Sequence, residues 1–545
     1  MNPVNRILII RLSSMGDIIL TFPVVEGLRK RFPQSEIVFL CKKQYKDLLL
    51  NHPHIQEVVE FDPRGNHRGI FGFFELLKRL RQGKIDLIID LHSNWRSFFI
   101  RNLIQAERKI KYNKRWLARF LMVYFKLFET RSKHSLDCYM ESLEKLGMKS
   151  ESKILRFYLN EEDKAWADDF LEEIDWDRGE ILLGIAPGAR WTAKTWDKER
   201  FARVGEILSS QFPVHLVLLG DARDGETIES IKQRLFSKTP SRDGLKITKA
   251  VDLPLGRVAS LLQRCDVLVT NDSGLMHLAS FLKVPVVAIF GPTHPKLGFA
   301  PLGPDSVVIS VDEKCSPCSL HGKRKCYRRE RYCMDKISPE EVAGEASRFL
   351  NRQKAVFVDR DGTLIQEKNF VSRLEDVEFV PGSVEAIKML KGLGYRVVII
   401  SNQSGIGRGI LTEKIVEEIN DFIVNQLKGN DVLVDGLYYC PHSPEDDCSC
   451  RKPNLGLIDQ ASSELNLSLK NSWVIGDKVS DVMLATNMGG RAGLVLTGYG
   501  KKELEKIRLD SDAKPDFVAD DLLGAALWIE KEHLLKEERC AKRSS

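Results

Sequence analysis

The chain has 545 residues, more than one hydrophobic core usually serves, so several domains of ordinary size are expected. A composition of 43% hydrophobic and 29% charged residues excludes an intrinsically disordered chain, and a net charge of +6 is too modest for this length to suggest a nucleic-acid partner. No apolar run approaches the roughly 18 residues needed to cross a bilayer, and Ile7 to Ile10 is followed at once by Arg11, so neither a membrane span nor a signal peptide is expected and the location is read as cytoplasmic.

Apolar, β-branched strands alternate with amphipathic helices along the chain, the pattern of parallel sheets in doubly wound α/β domains. The first unit opens with a strand over Arg6 to Leu12, the turn SSMGD and a helix from about Asp17, and contains a second strand over Ile85 to Leu91. The second unit has strands at Ile181 to Ala186, Val214 to Leu219, Val267 to Thr270 and Val286 to Phe290. Two Rossmann-like halves of this kind, with a cleft between them, describe a GT-B architecture. Ser338, Pro339 and Glu341 start a capped helix that runs to about Leu350. A third α/β unit begins near Lys354, with strands at AVFVDRDGT, Arg396 to Ser401 and Trp473 to Gly476. The expected divisions are 1–165, 166–352 and 353–530, followed by a charged tail over 531–545 read as frayed helix or disordered.

Between Arg101 and Lys133 stand ten Lys or Arg against two Glu, interleaved with Trp116, Phe120, Tyr124, Phe125 and Phe128. Such a segment suits phosphates or an anionic membrane surface, and equally a solvated helix face whose apolar side meets the core.

The third unit carries Asp359-Arg360-Asp361-Gly362-Thr363 at the end of an apolar strand. Two carboxylates two residues apart at a strand's C-terminal end can share one pocket, one attacking phosphorus and the other handling a proton. In order, the sequence adds Ser401-Asn402-Gln403-Ser404-Gly405, Arg451-Lys452-Pro453, and Gly476-Asp477-Lys478 with Asp481. This set resembles the haloacid-dehalogenase-type phosphatases. The resemblance implies Asp359 as nucleophile, Asp361 as acid and base, Mg2+ held by Asp359, Asp477 and the Asp361 carbonyl, and a phosphoryl cradle of Ser401 and Lys452. It also places Asn402, Gln403 and Lys478 at the substrate, with Arg451 selecting it.

Seven of the eleven cysteines fall in two tight groups, which in a chain without an export signal favours metal over disulfides. Cys440, His442, Cys448 and Cys450 supply three thiolates and an imidazole, the set of a closed structural Zn2+ site that pins the loop delivering Arg451 and Lys452. Cys315, Cys318, Cys326 and Cys333 are a possible second metal set, or simply part of a basic loop. The zinc loop resembles that of the capless phosphatases of heptose bisphosphate and of histidinol phosphate, with RKPNLGLI closer to the heptose enzymes.

In the first unit Arg11-Leu12-Ser13-Ser14-Met15-Gly16-Asp17 follows the first strand, Gly16 allowing close backbone approach and Asp17 standing where it can take a proton from an acceptor hydroxyl. The second unit contributes Ala186-Pro187-Gly188-Ala189, Lys194 in WTAKTW, Asn271-Asp272-Ser273-Gly274-Leu275-Met276-His277, and Phe290-Gly291-Pro292-Thr293. Together these resemble the ADP-heptose:lipopolysaccharide heptosyltransferases from about Ile7 to Leu350. That resemblance implies a metal-independent GT-B transferase in which Lys194, Asp272, Ser273, Gly274 and His277 hold the nucleotide sugar. The implied partners are ADP-heptose and the lipopolysaccharide inner core for the first part and heptose 1,7-bisphosphate for the second, with peripheral contact at the inner membrane. A phosphatase acting on histidinol phosphate or another small phosphate ester, and a first part that only binds and tethers, are the readings that compete with it.

Overall fold

The computed structural model describes residues 4–126, 133–148, 155–176, 180–238, 245–509 and 513–544. The described residues separate into two compact units, one within 4–350 and the other within 351–544. Each is built from parallel sheets with helices on both faces.

The first unit holds two sheets. One is formed by β1 (Arg6–Ile10), β2 (Glu36–Lys42), β3 (Glu57–Phe61), β4 (Leu87–Asp90) and β5 (Arg108–Lys111), in the order β3-β2-β1-β4-β5. The other is formed by β6 (Ile181–Ala186), β7 (Val214–Gly220), β8 (Lys246–Val251), β9 (Val267–Asn271), β10 (Val286–Phe290) and β11 (Ser306–Ser310), in the order β11-β10-β9-β6-β7-β8. All described pairings are parallel, with Ile10 opposite Asp90 and Ala186 opposite Thr270. Because helices cover both faces, β1 and β10 are almost wholly apolar and buried, as a two-sided strand requires. The expected first strand ends two residues early, at Ile10, and the helix starts two residues early, at Met15, capped by Ser14.

The two halves of this unit meet at helix starts. A Cβ on Gly16 would lie 2.3 Å from His277 Cδ2, and one on Gly274 would lie 2.2 Å from Met15 Cε, so the helices Met15–Ile19 and Gly274–Phe281 approach only because both positions are glycine. The space at Gly16 is thus filled by His277 of the other half.

In the second unit β12 (Ala355–Asp359), β13 (Arg396–Asn402), β14 (Gly436–Cys440), β15 (Trp473–Gly476), β16 (Arg491–Val495) and β17 (Phe517–Ala519) pair in the order β14-β13-β12-β15-β16-β17. The strand order reverses between β12 and β15. That is the topological switch point, where ligands of open α/β sheets bind beyond the carboxyl ends of the strands. The linking helix is Pro339–Leu350, and Ser338 Oγ accepts from Glu341 N at 3.1 Å, as the capping motif predicts. The charged C-terminal stretch continues one helix, Leu522–Ser544.

In the basic segment, Trp116, Tyr124 and Phe125 are exposed, Phe120 is half-buried and Arg119 is buried. Phe128 lies outside the described residues. The segment is therefore neither wholly solvated nor wholly core. No helix among the described residues is long and apolar enough to cross a membrane.

Candidate active sites

The carboxyl ends of β12, β13 and β15 bring the phosphatase-type motifs into one pocket. Lys452 Nζ stands 2.5 Å from Asp359 Oδ1 and 2.6 Å from Asp481 Oδ1, with all three side chains buried. Carboxylate oxygens of Asp359, Asp477 and Asp481 lie within 4.8 Å of one another. Lys478 Nζ stands farther off, 3.9 Å from Asp477 Oδ1, so three carboxylates face two ammonium groups and burial sets the acidity of the pocket. Burial drives Asp359 up to about 6, with Lys452 opposing and Asp481 adding to the shift. Burial and the neighbouring Asp359 carboxylate push Asp477 up to about 8.

Asp477 Oδ2 accepts from Tyr499 N at 2.7 Å, whereas its buried Oδ1 has no hydrogen-bond partner among the described residues. Gly362, at φ +90, crowds that carboxylate, and a Cβ there would sit 2.3 Å from Asp477 Oδ2. A buried carboxylate oxygen with no hydrogen bond and only a 3.9 Å contact to Lys478 Nζ, in an all-oxygen donor set, is the environment a hard divalent cation takes. Asp481 completes this set, a position quoted in the motif but not assigned as a ligand from sequence.

Asp361 is not one of that group, and other side chains engage it. Arg360 donates to both of its oxygens at 3.0 Å, Gln403 Nε2 donates at 2.7 Å and Ser401 Oγ at 3.2 Å. Burial raises the Asp361 carboxyl, but Arg360 and these bonds outweigh it and hold the group below the ordinary carboxylate range. Arg360 is itself buried and fixed by Asn420 Oδ1 at 2.7 Å, a support that sequence motifs did not single out.

Asn402 faces Lys452 through backbone, not the pocket centre. Its Nδ2 donates to Lys452 O at 3.2 Å and its Oδ1 accepts from Lys452 N at 3.0 Å. Lys478 is partly exposed, 3.4 Å from Glu367 Oε2, 3.9 Å from Asp477 Oδ1 and 4.9 Å from the centre of the Tyr499 ring. Arg451 is partly exposed and donates to His442 O at 3.2 Å.

The loop behind Lys452 converges on four metal-type ligands. Cys450 Sγ is 3.3 Å from Cys440 Sγ, 3.4 Å from Cys448 Sγ and 3.2 Å from His442 Nδ1, and Cys440 Sγ is 3.5 Å from Cys448 Sγ. A zinc tetrahedron with bonds of about 2.0–2.3 Å has edges of roughly 3.3–3.8 Å, so the four atoms suit such an ion. Gln403 N donates to Cys440 O at 2.7 Å and Gly407 N to Pro441 O at 2.9 Å, tying this loop to the one that carries Ser401.

In the first unit, Asp17 is held from three sides. Arg11 Nη2 stands 2.7 Å from Oδ2, Ser14 Oγ donates to Oδ2 at 2.8 Å and Tyr139 OH donates to Oδ1 at 3.0 Å. Burial raises its pKa, but Arg11 with the Ser14 and Tyr139 bonds brings it well below the usual carboxylate range. The side chain keeps 23% of its surface exposed.

Across the close-packed glycines, Lys194 Nζ is 2.6 Å from Asp272 Oδ2, so the sequence-distant lysine does reach the strand-end turn. Thr293 Oγ1 donates to the same oxygen at 2.5 Å. Ser273 caps the helix that Gly274 opens, and its Oγ is 3.2 Å from Thr270 Oγ1. His277 is buried, and burial draws its pKa down to about 4, so the ring is neutral and supplies no cationic charge. Cys315, Cys318, Cys326 and Cys333 line one cavity beside Arg324 and Arg331. They do not bring ligand atoms together as the Cys440 set does.

These geometries define two enzyme classes joined in one chain, a GT-B glycosyltransferase and a haloacid-dehalogenase-type hydrolase. A family model described as glycosyltransferase family 9 (heptosyltransferase) matches residues 73–327, and one described as HAD-hydrolase-like matches residues 449–525. The chain is 43% identical over 148 residues to the D-glycero-beta-D-manno-heptose-1,7-bisphosphate 7-phosphatase of Helicobacter pylori, covering 27% of this chain and 86% of that protein. It is 38% identical over 174 residues to the enzyme of the same name from Pasteurella multocida, covering 31% and 94%. The solved glycosyl transferase family 9 structure from Veillonella parvula matches with a TM-score of 0.54 at 25% identity, over 64% of this chain and 98% of that one. Through its second unit the chain belongs to the heptose-bisphosphate 7-phosphatase family, and its first unit carries a family 9 glycosyltransferase domain.

Proposed function

We propose that the second unit hydrolyses the 7-phosphate of D-glycero-D-manno-heptose 1,7-bisphosphate and that the first transfers heptose from ADP-heptose to the inner core of lipopolysaccharide. One pathway then contains both steps. The observation that carries the first half is the convergence of Asp359, Lys452, Asp477 and Asp481 at the switch point, with Asp361 alongside.

In this reading Asp359 attacks phosphorus, Lys452 offsets the charge of the transferring phosphoryl group, and the aspartyl-phosphate is released by water. Asp361, held as a carboxylate by Arg360, is in the form that takes a proton from that water; donating one to the leaving sugar oxygen requires it to be protonated first. Asp359, Asp477 and the Asp361 carbonyl, with Asp481 beside them, would hold Mg2+, which would supply Lewis-acid stabilisation of the phosphate oxygens. Cys440, His442, Cys448 and Cys450 would hold Zn2+ as a structural ion, since four protein ligands leave no open position.

In the transferase, Lys194 exchanges Asp272 for the donor diphosphate, and the Ser273–Gly274 helix start adds backbone amides. Asp17 is the proton acceptor for the attacking hydroxyl. Its strong engagement by Arg11 makes it a weak base in this arrangement, so an acceptor that loosens the Arg11 contact raises its basicity.

Phosphate release by the whole protein from heptose 1,7-bisphosphate, other sugar bisphosphates and histidinol phosphate tests the hydrolase reading. Preference for histidinol phosphate would overturn it. Transfer of labelled heptose from ADP-heptose to a truncated core acceptor tests the other half.

A further inference from the structure

Two neighbouring helices of the first unit are apolar on the side where a solvated helix carries polar groups. Gly69–Leu80 and Trp95–Leu103 lie in one layer on the first sheet: Leu76, Leu77 and Leu80 of one and Ile100 of the other pack with Leu8 and Ile10 of β1. Arg81 Nη2 donates to Leu103 O at 2.8 Å and ties their ends together.

Away from that core, Ile70, Phe71 and Phe74 on the first helix and Trp95, Phe98 and Phe99 on the second are exposed, Phe71 by 90% and Trp95 by 64%. The spacing of each set gathers its side chains on one outward face. The Phe99 ring meets those of Trp95 and Phe98 edge-on at 6.4 and 5.7 Å, so the aromatic groups of the second helix form a cluster. A patch of this kind marks an interaction surface.

Its charge says with what. Arg68, Lys78 and Arg79 flank the first patch and Arg96 the second, against Glu75 as the one acidic residue of these two helices; Arg101 is taken up by the buried Asp90 at 2.7 Å, and Arg79 also reaches Glu57 at 3.6 Å. Arg96 lies over the Trp95 ring at 4.8 Å. Aromatic rings beside cations, with almost no carboxylate, match an anionic lipid surface, where rings enter the headgroup boundary and guanidinium groups meet lipid phosphates. The position fits as well. The helix bearing Trp95 leaves the sheet from the carboxyl end of β4, and the Asp17 loop leaves from the carboxyl end of β1, which pairs with it.

We propose that this two-helix face docks the protein on an anionic bilayer and so holds the Asp17 cleft beside a membrane-borne acceptor. The inference deepens the transferase reading and rests on it for the acceptor's lipid attachment.

The test is sedimentation of the full-length protein with vesicles of phosphatidylglycerol and phosphatidylethanolamine, against phosphatidylcholine alone. Wild type should partition onto the anionic vesicles, and Phe71→Glu/Phe98→Glu should weaken this about tenfold or more, since each change replaces an exposed ring with a like charge to the lipid. Both proteins should release phosphate equally and transfer heptose equally to a delipidated, water-soluble acceptor. Absence of wild-type binding to anionic vesicles, or wild-type partition by the double variant, overturns the proposal. So does a double variant that changes a dimer to a monomer by light scattering while keeping its vesicle binding, which would make the face an interface between copies. Failure of wild type to transfer to the soluble acceptor refutes the transferase reading instead, and is read separately.

Discussion

Replacing Lys452 with Met tests the electrostatics of the hydrolase pocket. The lysine is the ammonium between Asp359 at 2.5 Å and Asp481 at 2.6 Å, and Met keeps much of its length without its charge. Removing one partner of a buried ion pair typically costs about 3–5 kcal/mol, because the partner left behind stays buried and uncompensated. At about 2–4 °C per kcal/mol for a domain of this size, the second unit should melt roughly 6–20 °C lower. The loss should depend on pH. Asp359 already titrates near 6 and Asp477 near 8, above an unfolded value of about 3.9, so the folded pocket binds more protons than the unfolded chain and loses stability as pH rises between those limits. Without Lys452 the carboxyl values rise further, and the deficit against wild type widens from pH 5 to pH 8. Differential scanning calorimetry in chelator, where no divalent cation replaces the ammonium, reads both effects. A melting temperature unchanged within about 2 °C at pH 8, or a deficit larger at pH 5, would refute the assignment of Lys452 as the pocket's counter-charge. Adding Asp481→Asn to the variant should recover part of the loss.

Asp359→Asn should abolish phosphate release and leave heptose transfer unchanged, because the two sites lie in units with separate cores; a comparable loss of transfer would contradict that independence. Cys448→Ser should lower bound zinc and the melting temperature of the second unit together, since binding at a closed site is largely folding free energy, and stoichiometric zinc in the variant would remove Cys448 from the ligand set. Asp17→Asn should cut transfer turnover by about two orders of magnitude or more with donor affinity preserved, as general-base assistance is worth about 10²–10⁴-fold. A near-normal kcat would reduce Asp17 to a capping and packing residue.

By itself the sequence determined the two fold classes, most of the inner strands, though not Glu36–Lys42 or Arg491–Val495, and the motif residues that the hydrolase pocket gathers. The strands legible in advance, such as Ile7 to Ile10, Val286 to Phe290 and Ala355 to Asp359, lie inside their sheets, where burial on both faces demands an unbroken apolar run. The edge strands β3, β5, β8, β11, β14 and β17 were not legible, because an edge pairs on one side only and is short or, in β3, β5 and β8, carries charges; Arg108–Lys111 reads as part of a basic segment until β4 pairs with it. Motifs at strand ends named Asp359 and Asp477, since parallel strands deliver their carboxyl ends to one rim, and the Cys/His loop after β14 named Lys452. Tertiary structure alone decided what each side chain faces. It put Arg360 on Asp361, gave Asp481 to Lys452, turned Asn402 to a backbone, filled the space at Gly16 with His277, and carried Lys194 across 78 residues of sequence to Asp272. The outward aromatic face of Gly69–Leu80 and Trp95–Leu103 belongs to the same group. An apolar residue on a helix predicts burial, and only the packed sheet shows which face of the helix was already taken.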